Sequence, residues 1–187
     1  MKLKATTHIE NSIRQCETAI SEVRKIIDGL NNDQLNTQEA EGKWSILQCL
    51  KHLSIANEIY VENLKKAHLK YPKEPEEYYN SHWKGDYFTK MISPKENGAV
   101  KNNMKTMKSM DPQKALNPQE TIEEFFKTHQ ELIVLMKKSE QYSLNRVKIP
   151  TALGSLVKFR IGDAFRFLLG HLDRHVIQLK RIRKAIA

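Results

Sequence analysis

Apolar residues recur every three to four positions in four long stretches of this chain, separated by polar or proline-containing segments. That period is the signature of amphipathic helices. The first stretch, about Thr7 to Asp28, puts Ile9, Ile13, Cys16, Ile20, Val23, Ile26 and Ile27 on one side, and Gly29 stops it. Asn31 to Lys43 is polar and reads as a connection. The second stretch starts sharply. Ser45 is a good N-cap, Gln48 completes a capping box, and Trp44 stands before the cap, where it can staple onto the first turns. The stripe Ile46, Cys49, Leu50, Leu53, Ala56, Tyr60 and Leu64 carries this helix to about Leu69, and Pro72 and Pro75 end it.

The third helix opens with Asn117 as N-cap, Pro118 at the first helical position and Glu120 at the third. Its apolar face is Ile122, Phe125, Phe126, His129, Leu132, Ile133 and Met136. The fourth runs from about Ile161 to Ala185 and turns Ile161, Ala164, Phe165, Leu168, Leu172, Leu179 and Ile182 inward. Two segments are harder to read. Lys70 to Asn117 holds four of the six prolines and is too long for a simple loop. One or two short helices are expected there, around Glu76–Met91 and Val100–Met107, crossing one end of the fold. Gln141 to Phe159 has β-branched positions and a Pro-Thr-Ala-Leu-Gly turn, and reads as a connecting excursion. The pattern predicts an all-α four-helix bundle with a long crossover between its second and third helices. That crossover leaves up-down-up-down order unforced.

Composition narrows this picture. A chain of 187 residues is expected to form a single domain, residues 1–187, with its own core. With 28% charged and 40% hydrophobic residues it is too apolar to be disordered. The N-terminal MKLKATTHIENSI lacks an apolar signal-peptide core, and no apolar run approaches the ~18 residues of a membrane span. A cytoplasmic location and no membrane association are expected. Cys16 and Cys49 both lie in helical patterns and read as buried thiols rather than a redox pair. The net charge of +9, from 31 basic and 22 acidic residues, is spread diffusely. Its one dense cluster, Lys180, Arg181, Arg183 and Lys184, sits where the last helix ends and suits the helix dipole. Nucleic-acid binding is motivated by the charge alone, because no recognition helix, RNA-binding aromatic motif or zinc-finger spacing is present.

Three histidines carry the candidate chemistry. His171 and His175 stand four apart on the fourth helix, about 40° apart around its axis, so both rings can point at one ion. They lie beside the apolar stripe between Leu168 and Leu179. His52 shares a face of the second helix with Cys49, Ala56 and Ile59. A pair from one helix and a single histidine from another make a three-nitrogen site for one divalent transition metal, with positions left open for water. A histidine on an apolar face is more often a hydrogen-bonded core residue, and that reading stands beside the metal one. His82, next to Trp83, is a candidate for a pocket rim, His129 for an extra ligand, and His8 and His68 are expected on the surface. Gly-rich phosphate loops, a His-Glu-x-x-His run and the Glu-x-x-His pairs of di-iron bundles are all missing.

Two segments resemble a known family. Gly42-Lys43-Trp44-Ser45-Ile46-Leu47-Gln48-Cys49-Leu50-Lys51-His52-Leu53 resembles the start of the second helix of the DinB/YfiT-like superfamily, and Ile161 to Leu179, with its His-x-x-x-His-x-x-Gln, resembles its last helix. The resemblance implies a four-helix bundle, a metal site at His52, His171 and His175 that is often nickel or zinc, and frequent homodimers. It includes thiol S-transferases of the bacillithiol and mycothiol type and metal-dependent hydrolases. A metal-dependent enzyme acting on a small-molecule substrate is therefore the leading expectation. In the transferase form a low-molecular-weight thiol is a further cofactor, with Arg174 and Arg166 as candidate contacts to an anionic thiol. A non-catalytic, stress-related metal- or ligand-binding bundle is the alternative. The resemblance names no catalytic residue beyond the ligands.

Overall fold

The capping signals set the helix starts in the computed structural model, which describes residues 1–95, 98–100, 106–112 and 116–186. Ser45 caps α3 (Ile46–Lys70): its hydroxyl accepts from the Gln48 N–H, and the Gln48 side chain accepts from the Ser45 N–H. Asn117 caps α5 (Pro118–Lys138) through the Glu120 N–H. The other long helices are α1 (Ala5–Ile27) and α6 (Ile161–Ile186). These four are the helices expected from periodicity, and they form a four-helix bundle.

The supposed connection Asn31–Lys43 contains a short helix, α2 (Asn32–Asn36), with its own capping box from Asn31 and Gln34. The excursion at 141–159 folds largely as an antiparallel hairpin, β3 (Lys148–Thr151) and β4 (Gly154–Arg160). Within the crossover, β2 (Tyr78–Asn80) pairs antiparallel with β1 (Lys2–Lys4), and α4 (Trp83–Ile92) follows. A helix over Val100–Met107 was also expected; residues 101–105 lie outside the described residues, and Lys108–Met110 form a single 3₁₀ turn. α4 does not cross the end of the bundle. Gly85 abuts Asp163 and Gly170 abuts Ser93, so α4 lies along the first half of α6 and runs parallel to it.

Long-range contacts define the helix directions. His8, Gln15 and Glu22 of α1 meet Gly162, Asp173 and Lys180 of α6, so these two helices run parallel. Lys51 and Lys65 of α3 meet Glu124 and Glu131 of α5, which makes a second parallel pair. The pairs oppose each other: Arg24, late in α1, covers the ring of Phe126, early in α5. The order is up-down-down-up. Two consecutive helices in the same direction require a chain that returns the full length of the bundle, which is the task of residues 71–117. The core between the helices is filled by fully buried Ile46, Leu50, Tyr60, Phe125, Met136 and Phe165. Removing such apolar surface from water stabilises by about 1.5–3 kcal/mol per large side chain.

Candidate metal centre

α3 and α6 run antiparallel side by side, and this brings the second turn of α3 against the middle of α6. His52 Nε2 lies 3.1 Å from His171 Nε2, and His175 Nε2 lies 3.0 Å from the same atom. One ring nitrogen from each histidine falls within 4.8 Å of the others. The rings meet edge to face or tilted, with centroids 4.6–5.1 Å apart.

The tautomer of His52 is determined by its surroundings. Its Nδ1 is 2.8 Å from the carbonyl oxygen of Met110. A carbonyl only accepts, so Nδ1 carries the proton and Nε2 offers a lone pair to the cluster. A carbonyl on the far nitrogen is also how metal-bound histidines are commonly oriented. One proton on His171 Nε2 cannot make two linear hydrogen bonds to two neighbours. A cation between the three nitrogens satisfies all of their lone pairs, and imidazole is a donor for nickel, zinc or copper. The residues therefore fit such an ion.

Burial pushes all three histidines toward the neutral form. The pKa of His171 falls to about 3 through burial, with His52 and Arg174 adding repulsion. His175 is held well below the ordinary range by burial and by the two neighbouring imidazoles. His52 is lowered by burial, an effect the Met110 carbonyl opposes in part. Neutral imidazole at pH 7 is the form that binds a metal.

A pocket of about 570 Å³ lies over the cluster. Trp44 forms one wall, its ring centroid 4.8 Å from that of His52 and stacked at 6.1 Å on His175. Ala56 and Tyr60 continue along α3, and Phe167 and Arg174 face them from α6.

The sequence-derived candidates divide clearly. His52, His171 and His175 come together. His129 stays out of the cluster, and its Nδ1–H donates to the Phe125 carbonyl one turn back. His82 accepts from the Lys84 N–H and caps α4 instead of lining the pocket. Arg174 lines the pocket, whereas Arg166 is engaged by Asp86 on α4. His8 and His68 were expected on the surface, and both are buried, at 4% and 6% exposure. His8 stacks on Tyr79 and bonds the Gly162 carbonyl. His68 stacks on Tyr142 and bonds Ser139. Their aromatic partners arrive from distant segments, so no local pattern marked them as interior.

Cys16 and Cys49 are buried and unbonded, and burial pushes the Cys16 thiol up to about 12 and Cys49 higher still. The basic cluster at the end of α6 is partly neutralised, with Lys180 on Glu22 and Arg181 on Glu39. Among the described residues no helix is long and apolar enough to cross a membrane. Sequence reasoning missed the Met110 carbonyl, because a backbone acceptor has no residue signature. It placed Trp44 at the start of α3 but missed its contact with the histidines.

The profile of the DinB superfamily matches residues 15–179, and the chain belongs to that superfamily. In structure it is similar to YfiT from Bacillus subtilis, with a TM-score of 0.59 and 12% sequence identity, over 94% of this chain and 86% of that one. YfiT is described as a probable metal-dependent hydrolase with an unusual four-helix bundle topology. A search of curated proteins finds no match.

Proposed function

We propose that this protein is a metal-dependent enzyme in which His52, His171 and His175 hold one divalent transition metal, nickel or zinc, in a small-molecule pocket. The observation that carries this reading is the convergence of three neutral imidazole nitrogens, from buried His52 and His175 and half-buried His171, with the His52 tautomer held by Met110. Membership of the DinB superfamily supports it. A bound divalent ion supplies Lewis acidity, lowering the pKa of a water or a thiol that it binds. The chain's own residues hold the three rings in register, shield one side of the site with the Trp44 indole, and leave a cavity large enough for a substrate. The reaction is either hydrolysis or transfer of a low-molecular-weight thiol to an electrophile. The description of YfiT favours the first by analogy.

Elemental analysis of protein purified without a polyhistidine tag should give about one ion per chain, lost in His52→Ala and in His171→Ala. Wild-type protein that stays metal-free after exposure to nickel and zinc would overturn the reading. The metal-loaded protein is then assayed with thiol plus a halogenated electrophile, and separately with ester and amide substrates. His52-dependent thiol consumption supports the transferase form, and His52-dependent hydrolysis the other. Absence of both leaves a non-catalytic metal-binding bundle. The proposal further takes residues 1–187 as a single cytoplasmic domain acting as a homodimer, which light scattering on the eluting peak tests.

A further inference from the structure

We propose that the pocket over the three histidines ends in a closed apolar compartment between Tyr60 and Phe167, and that this compartment takes an uncharged hydrocarbon group of the substrate. The reacting group of the substrate then rests at the histidines, and its polar remainder lies toward Lys43. The inference rests on reading this pocket as the substrate site, and it names the class of molecule admitted and its orientation.

The two helices that hold the histidines give the pocket a long axis. Phe167, His171, Gln178 and Arg181 line it as one stripe of α6, about 21 Å from first to last. His52, Ala56 and Tyr60 line it as the facing stripe of α3. Because the two helices are antiparallel, Ala56 and Tyr60 lie toward Phe167, and Lys43 lies toward Gln178 and Arg181. The histidines therefore sit between two unlike ends.

The Tyr60 end is apolar and closed by packing. Ala56, Tyr60, Ile92 and Phe167 are each at most 5% exposed. Ile92, at the end of α4, packs beside Gly170, and the turn of the β-hairpin, Ala152 and Leu153, lies over Tyr60. The Tyr60 hydroxyl is the one polar side-chain atom of these six residues, and its neighbours are Thr151 and the Ala152 backbone. Among the described residues, no charged side chain lines the pocket after His52 on α3 or before His171 on α6. The charged residues of the lining, Lys43, Arg174 and Arg181, stand on the other side of the histidines, and Lys43 and Arg181 are exposed. A charged group pushed to the Tyr60 end would lose its water and meet no opposite charge, whereas each methylene placed there leaves water favourably.

The test displaces an uncharged fluorescent probe, N-phenyl-1-naphthylamine, from the full-length protein with straight-chain alcohols from butanol to octanol. Metal content is measured on the same samples. Affinity should rise about fourfold per added methylene until the compartment is full. Ala56→Leu and Ala152→Leu shorten the compartment from two different walls. In each, octanol should weaken at least tenfold while butanol changes by less than about twofold. Ala152→Leu, on the half-buried turn, carries the test if circular dichroism shows that Ala56→Leu does not fold. Lys43→Gln, at the open end, should leave the series unchanged. In nickel-loaded protein, the proton resonances of hexanol should broaden most at the hydroxyl-bearing carbon and least at the terminal methyl. A series without chain-length dependence, a series that the folded variants leave unaltered, or broadening strongest at the methyl overturns the proposal. Protein that binds metal yet shows no chain-length dependence refutes this inference alone. Protein that shows an Ala152-sensitive series yet binds no metal refutes the enzyme proposal alone.

Discussion

The Nε2 atoms of His52 and His171 stand 3.1 Å apart although 119 positions separate the two residues in sequence. The contact exists because α3 and α6 are antiparallel neighbours in an up-down-down-up bundle. With Nδ1 of His52 committed to Met110, its Nε2 is a bare lone pair, and His171 Nε2 faces both it and His175 Nε2 with a proton for at most one of the two contacts. The cluster is therefore poorly satisfied on its own and well satisfied around a cation.

Metal should stabilise the fold. Ligand binding to the native state alone adds about 2.7 kcal/mol at a hundredfold excess over Kd. Thermal melts of wild type should rise on adding nickel or zinc and fall back with chelator. The same additions should leave the melting temperature of His171→Ala unmoved.

Trp44 should report the site. Its indole lies against His52 and His175, whereas Trp83 is exposed on α4. Adding nickel should quench part of the tryptophan emission, and Trp44→Phe should abolish that change. A Trp83→Phe variant that loses the quenching instead would contradict the geometry.

The junction of α6 with the crossover should be intolerant of small changes. A Cβ at Gly162 would stand 2.4 Å from the Tyr79 ring, so Gly162→Ala should cost about 1–3 kcal/mol. The Tyr79 hydroxyl donates to the buried Asp163 carboxylate at 2.6 Å. Tyr79→Phe removes a donor from that acid and should also cost about 1–3 kcal/mol, read from urea midpoints.

Acid should weaken the fold through His68. The Ser139 hydroxyl already donates to the Leu135 carbonyl, so His68 Nε2–H donates to Ser139 and Nδ1 is left buried without a partner. Burial and the neighbouring Lys138 push its pKa to about 4, from an ordinary 6.5. Between these values the unfolded chain binds more protons than the folded one. Stability is thus complete above pH ~6.5 and falls as the pH drops toward 4. The loss is about 2 kcal/mol after allowance for solvent screening. His68→Phe, which keeps an aromatic ring on Tyr142, should flatten the pH profile by about that amount in urea denaturation at pH 7 and pH 4.5.

Helix starts and faces were legible because their causes are local. Ser45 with Gln48, Asn117 with Pro118, and the three-to-four spacing of apolar residues each act within a turn or two. The pair His171 and His175 was legible for the same reason. The hairpin after α5 was less so, since strands only a few residues long carry little periodicity of their own.

From its sequence alone this protein was determined to be four amphipathic helices with three inward histidines and a long return between the second and third. Tertiary structure alone decided that α1 pairs with α6 and α3 with α5, and that α4 lies along α6. It also decided that His8 and His68 are interior, that Met110 orients His52, and that Arg174 rather than Arg166 faces the pocket. Periodicity and caps are short-range properties of a chain, whereas the partner of a side chain is chosen by whichever distant surface packing brings against it.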